Sequence, residues 1–183
     1  MISLKINRDR RVKWYLALLL FFGIIIDSAL PAIFPNAFLG SGQTIISHVT
    51  LYVLVLFAFY FRDGSILFNA FIFGLIADSY NTTLLGLYAT LYLIVAYVII
   101  KVKKYLPKKS LVQILLFLLA IAFVDFCVFV FYRETGYTTM TLTVFLANNL
   151  GPTMLYNIVL TFILYFPSRG LLNLLGFENY LIF

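Results

Sequence analysis

Apolar runs alternate with short polar breaks along the whole chain, and the pattern predicts six membrane-crossing helices at about 14–33, 44–61, 64–78, 84–100, 111–132 and 148–166. The third run is short for a crossing. Merging it with the fourth would give one helix over 64–100, roughly 55 Å long at 1.5 Å per residue, far beyond a hydrocarbon core of about 30 Å. The turn-forming stretch Ser79, Tyr80, Asn81, Thr82 and Thr83 supplies the break. The expected fold is therefore all-α: a single polytopic membrane domain over residues 1–183.

Composition agrees with the pattern. Of 183 residues, 63% are apolar and 11% charged, and the mean hydropathy is +1.04, against roughly 45–50% and 25% in soluble domains. These values exclude a soluble enzyme, a nucleic-acid-binding module and a disordered tail. The net charge of +6 then reports orientation or anionic lipid, not nucleic acid. The single cysteine, Cys127, excludes an intrachain disulfide and a cysteine-based metal site.

Lys and Arg beside membrane spans collect on the cytoplasmic side. With six spans and both termini inside, Lys5, Arg8, Arg10, Arg11, Lys13, Arg62, Lys101, Lys103, Lys104, Lys108, Lys109 and Arg169 all fall inside, and only Arg133 falls outside. Five spans would destroy that bias by moving the Lys101–Lys109 group across. Trp14, Tyr15, Tyr60, Tyr105 and Tyr165 lie at inner boundaries and Tyr80, Tyr132 and Tyr137 at outer ones. The first apolar run is longer than the core of a secretory signal, and Asp27 interrupts it, so an uncleaved span is expected. Two further segments suit the interface: 133–147, with its apolar patch Leu142 to Leu146, and a surface helix from Arg169 through Leu171, Leu172, Asn173, Leu174 and Leu175 to Phe177 and Glu178. Pro152 suits the first turn of the last span, and Pro167 is expected to end it.

The chain also repeats itself. Phe22-Gly23-Ile24-Ile25-Ile26-Asp27-Ser28 matches Phe73-Gly74-Leu75-Ile76-Ala77-Asp78-Ser79 at an offset of 51, and Thr50-Leu51-Tyr52 matches Thr90-Leu91-Tyr92 at an offset of 40. A third, fainter copy places Asp125 at the acidic position, Leu150-Gly151 opposite Leu39-Gly40 and Leu85-Gly86, and Leu155 to Val159 opposite Leu91 to Val95. Three helical hairpins of one pattern follow, with Gly23, Gly74 and Gly86 allowing close helix approach.

Each of Asp27, Asp78 and Asp125 lies about 20 Å along an outward-running helix, which sets all three at one level in the outer half of the bilayer. His48, Asn148 and Asn149 reach that level, and Asn157 lies deeper. A carboxylate at membrane depth costs on the order of 2.5–3.5 kcal/mol and normally faces a bundle interior, a partner or water. Three readings of this layer stay open: hydrogen-bonded glue between helices, a small-molecule or ion cavity, and snorkelling to the outer interface. Three Asp and one His without local ligand spacing do not make a metal site. No phosphate-binding glycine loop, nucleophile elbow or metalloprotease helix is present, so neither catalytic residues nor a cofactor are expected.

The run Phe73-Gly74-Leu75-Ile76-Ala77-Asp78, then Leu85-Gly86-Leu87-Tyr88 and the apolar stretch to Ile100, with Pro152, Asn157 and Pro167 in the last span, resembles the rod shape-determining MreD family. The resemblance implies a non-enzymatic assembly factor in the bacterial plasma membrane. Its implied partners are the bitopic protein MreC and, indirectly, MreB filaments and the peptidoglycan polymerase and transpeptidase of wall elongation. The Tyr-, Phe-, Lys- and Asn-bearing composition suits a low-GC Gram-positive source. The family also resembles, in fold, the substrate-binding subunits of energy-coupling-factor vitamin transporters, which makes such a subunit the alternative function. Those subunits dock their ATP-driven module through small residues on the first helix, and Ala17-Leu18-Leu19-Leu20-Phe21 lacks the second alanine four residues on.

Overall fold

The computed structural model describes residues 2–40, 42–61, 64–81 and 85–176, and side chains from Arg11 onward apart from Asn81. Arg62, Thr82, Thr83, Phe177 and Glu178 lie outside the described residues, as do the side chains of Lys5, Arg8 and Arg10. The described chain is helical: α1 Ile2–Ile33, α2 Pro35–Phe38, α3 Val49–Tyr60, α4 Ser65–Asn81, α5 Leu87–Val102, α6 Ser110–Glu134, α7 Leu142–Phe145 and α8 Gly151–Leu174. A π-turn, Leu146–Leu150, joins α7 to α8.

Three helical stretches are long and apolar enough to cross a membrane, at Arg11–Ile33, Ser110–Glu134 and Leu142–Leu174, and α3, α4 and α5 are shorter apolar helices. The protein is a polytopic membrane protein. Helix α3 shows why a short helix serves here. All twelve of its residues are buried, packed by α1, α4, α5 and α6, so it never meets lipid and need not span the hydrocarbon alone. At about 18 Å it leaves part of the crossing to an irregular segment before it. The expectation of a helix from residue 44 is thus corrected: Gln43 to His48 are irregular, and the helix begins at Val49. Irregular backbone at membrane depth survives only where protein satisfies its polar groups, and the last helix supplies that service.

Three other expectations need correction. Pro167 does not end the last helix; α8 runs on to Leu174 with Pro167 inside it. A proline removes one i→i−4 bond and crowds one carbonyl, which one turn of an already established helix absorbs. The segment expected as a separate surface helix from Arg169 is, through Leu174, the end of α8. Finally, Gly86 is not a packing glycine. A Cβ there would meet nothing within 4 Å, but its φ of +108° belongs to the left-handed region.

Candidate functional site: an intramembrane polar layer

Helices α1 and α3 approach so closely that a Cβ on Gly23 would lie 2.9 Å from Thr50 Cα. Four residues on, one helical turn along the same face, Asp27 therefore reaches the start of α3. Its Oδ1 accepts from Ser47 Oγ (2.7 Å) and the Val49 N–H (2.8 Å), and its Oδ2 accepts from the Thr50 N–H (2.8 Å). The first amides of a helix have no intrahelical partner and carry roughly half a positive charge. Asp27 caps them from a neighbouring helix.

The second hairpin repeats the device. A Cβ on Gly74 would lie 2.4 Å from Ala89 Cα, and Asp78, again four residues on, accepts from the N–H groups of Gly86 (2.9 Å), Tyr88 (2.8 Å) and Ala89 (3.1 Å). Asp78 is fully buried. The contacts place Ala89 opposite Thr50, whereas the sequence repeat aligned Thr90 with Thr50. The two registers differ by one residue.

Asp125 breaks the pattern. Its Oδ1 stands 3.0 Å from His48 Nε2, both side chains being buried, and among the described residues it caps no helix. The last helix instead holds the irregular segment before α3. Thr153 Oγ1 accepts from the Ile46 N–H (3.1 Å). The Asn157 side chain accepts from the His48 N–H (3.1 Å) and donates to the Ile46 carbonyl (2.8 Å). Pro152 contributes through what it lacks. With no N–H for the carbonyl one turn back, it leaves the Asn148 carbonyl open, and Thr44 N–H donates to it at 2.9 Å. The preceding turn widens into the π-turn, closed by the Gly151 N–H on the Leu146 carbonyl.

At its other end, α3 is capped by a cation. Lys103 Nζ donates to the carbonyls of Ala58 (2.6 Å) and Phe61. A carboxylate at the N-terminus and an ammonium at the C-terminus both oppose the dipole of this buried helix.

The structure thus gathers Asp27, His48, Asp125 and Asn157 around residues 44–50. Asp78 and Tyr88 form the second cap, and Asn148 acts through its carbonyl. Asn149 lines a cavity of about 170 Å³ with Asp125, Tyr132, Thr138 and Met140. A larger cavity, about 280 Å³, lies among Asp27, Thr44, Ser47, His48, Tyr88 and Tyr92. Sequence reasoning missed Ser47, Tyr92, Thr153 and Lys103. The signal for Thr153 was legible: Thr153, Asn157 and Thr161 recur every four residues on an otherwise apolar helix, one polar stripe, and all three are buried. The side-chain groups suit hydrogen bonding and charge compensation, and among the described residues no cluster of three or more His, Cys, Asp or Glu has the geometry to hold a metal ion.

Comparison with known proteins agrees with this architecture. The family model for rod shape-determining protein MreD matches residues 8–175. The rod shape-determining protein MreD of Bacillus subtilis (strain 168) is 29% identical over 132 residues, covering 72% of this chain and 77% of the relative. No solved structure matches. The chain belongs to the MreD family, and with it to the membrane proteins that determine rod shape.

Proposed function

We propose that the protein is a non-enzymatic membrane scaffold of the wall-elongation machinery, binding an MreC-like bitopic protein and, through it, serving MreB filaments and the peptidoglycan polymerase and transpeptidase. One observation carries the reading: in a member of a shape-determining family, the intramembrane acids hold helices together. Asp27 and Asp78 cap helices and Asp125 pairs with His48. The outward faces of the long helices, such as Leu18, Phe21 and Phe22 on α1 and Leu115, Leu119 and Phe123 on α6, are exposed and apolar. A single-span partner meets such faces through packing within the bilayer. The membrane is the plasma membrane of a Gram-positive cell in this reading, and the polar layer faces its outer side.

The test is purification of the full chain from its native membrane. MreC co-purifying in stoichiometric amount is the expected result. Depletion that left cell shape and the sites of wall insertion unchanged would overturn the proposal.

A further inference from the structure

The cavity of about 280 Å³ beside Asp27 is not needed by either helix cap. It is far larger than the ~10–15 Å³ required to admit one water, and its walls are built in an unusual way. Tyr88 and Tyr92 line it, only 8% and 4% exposed. Yet neither hydroxyl bonds to any described residue, and neither is among the sealed polar atoms. Buried tyrosine hydroxyls normally find a partner, so these two present unused donor and acceptor capacity to the cavity. His48, 2% exposed, also lines it. Its Nε2 is committed to Asp125, whereas Nδ1 bonds to no described residue.

The charge of the site has one sign. Among the described residues no Lys or Arg lines the cavity. A protonated His48 offsets one of the two carboxylates, and Asp125 is the one it touches. The N-terminus of α3 offsets about half the charge of Asp27, so roughly half a negative charge or more remains. A carboxylate accepts about four hydrogen bonds, and Asp27 Oδ2, holding the Thr50 N–H, has a lone pair to spare. The rings of Tyr88 and Tyr92, edge to face at 5.7 Å, add electron-rich walls of the kind that favour cations.

We propose that this cavity binds a small organic ammonium group, carried by a free amine or by the headgroup of an aminolipid, with Asp27 as its counter-charge and the Tyr88 and Tyr92 hydroxyls as its hydrogen-bond partners. The site is independent of the scaffold reading. A negative site at a helix start whose own acid already caps the helix leaves a cation as the complementary guest.

The full chain in phosphatidylglycerol nanodiscs is titrated with ethanolamine and, as the uncharged counterpart, ethylene glycol, by ligand-observed magnetic resonance. In parallel, native mass spectrometry of protein from mixed phosphatidylethanolamine and phosphatidylglycerol discs reads the retained lipid. Ethanolamine binding in preference to the glycol identifies a free amine as sufficient, and retention of phosphatidylethanolamine alone identifies the lipid form; either supports the site. Tyr92→Phe and Tyr88→Phe keep the rings and are expected to weaken that binding roughly three- to tenfold each, the worth of one hydrogen bond. Absence of any preference for the amine in both arms overturns the proposal, as does a preference unchanged in both variants. Loss of folding on removing either hydroxyl overturns it too, because it would show that the hydroxyl serves the protein.

Discussion

The first two hairpins solve one problem in two settings. In α4–α5 left-handed Gly86 leads into α5, and Asp78 caps that helix from a fully buried position. In α1–α3 the chain makes a long excursion through α2 and the irregular residues 43–48 before Asp27 caps α3. The carboxylate and the glycine four residues before it are common to both. The difference lies in what the connection meets: Asp78 itself takes the Gly86 N–H beside α5, whereas the long connection depends on Thr153, Asn157 and the Asn148 carbonyl and borders a cavity. An acid in a membrane helix therefore does not by itself mark chemistry. Its worth depends on whether the connection beside it is filled.

The comparison breaks most readily at the acids. Asp78→Ala strands the N–H groups of Gly86, Tyr88 and Ala89, the last two buried, and at ~1–3 kcal/mol for each unsatisfied group the loss is expected to reach about 3–5 kcal/mol or abolish folding. Asp27→Ala is expected to cost less, since its cavity admits water to the freed amides. Thermal unfolding of both variants in one detergent checks the order, and equal losses would remove the distinction between the hairpins. Asp125→Ala leaves His48 without its partner, a cost of about 3 kcal/mol by analogy with broken buried pairs. A double variant with His48→Gln should recover part of it, as a thermodynamic cycle will read.

Glycine substitutions sharpen the same contrast. At Gly74 an added methyl meets the Ala89 backbone at 2.4 Å, and at Gly23 the Thr50 backbone at 2.9 Å. Gly74→Ala is expected to destabilise by about 2–3 kcal/mol and Gly23→Ala by about 1 kcal/mol, within the usual range for overpacking. The smallest effect belongs to Pro152→Ala. The restored N–H competes with Thr44 for the Asn148 carbonyl, and a change on the order of 1 kcal/mol, the worth of one exchanged hydrogen bond, is expected. It should appear as faster amide exchange at Thr44 with little shift in melting temperature.

Much of this was legible in the chain. Apolar runs gave the helices, and the recurrence of Gly, Asp and Ser gave two of the three hairpins. The repeat located the acids but not their partners, because a backbone N–H leaves no mark in a sequence and the contacting register differs by one residue from the matching one. The broken second crossing was hidden for a related reason. Thr44 to Ser47 are two small polar residues around two isoleucines, apolar enough to continue a helix, and distant partners, among them the Asn148 carbonyl and the stripe of Thr153 and Asn157, hold them out of one. Asp125 looked like a third copy by position. Its pairing with His48 follows from the packing of α3 against α6, which local pattern does not encode. Pro167 misled because a helix in a bundle tolerates one missing bond that an isolated helix would not.

The account rests on Asp27 and Asp78 serving as helix caps within the membrane. Hydrogen–deuterium exchange of the full chain in nanodiscs reads this at the capped amides of Val49, Thr50, Tyr88 and Ala89. Slow exchange at all four is expected in the native protein; because an amide keeps only one of the two acceptor oxygens, it is expected to speed up at one of Val49 and Thr50 alone in Asp27→Asn and at one of Tyr88 and Ala89 alone in Asp78→Asn. Fast exchange of these amides in the native protein, or protection indifferent to either substitution, would contradict it.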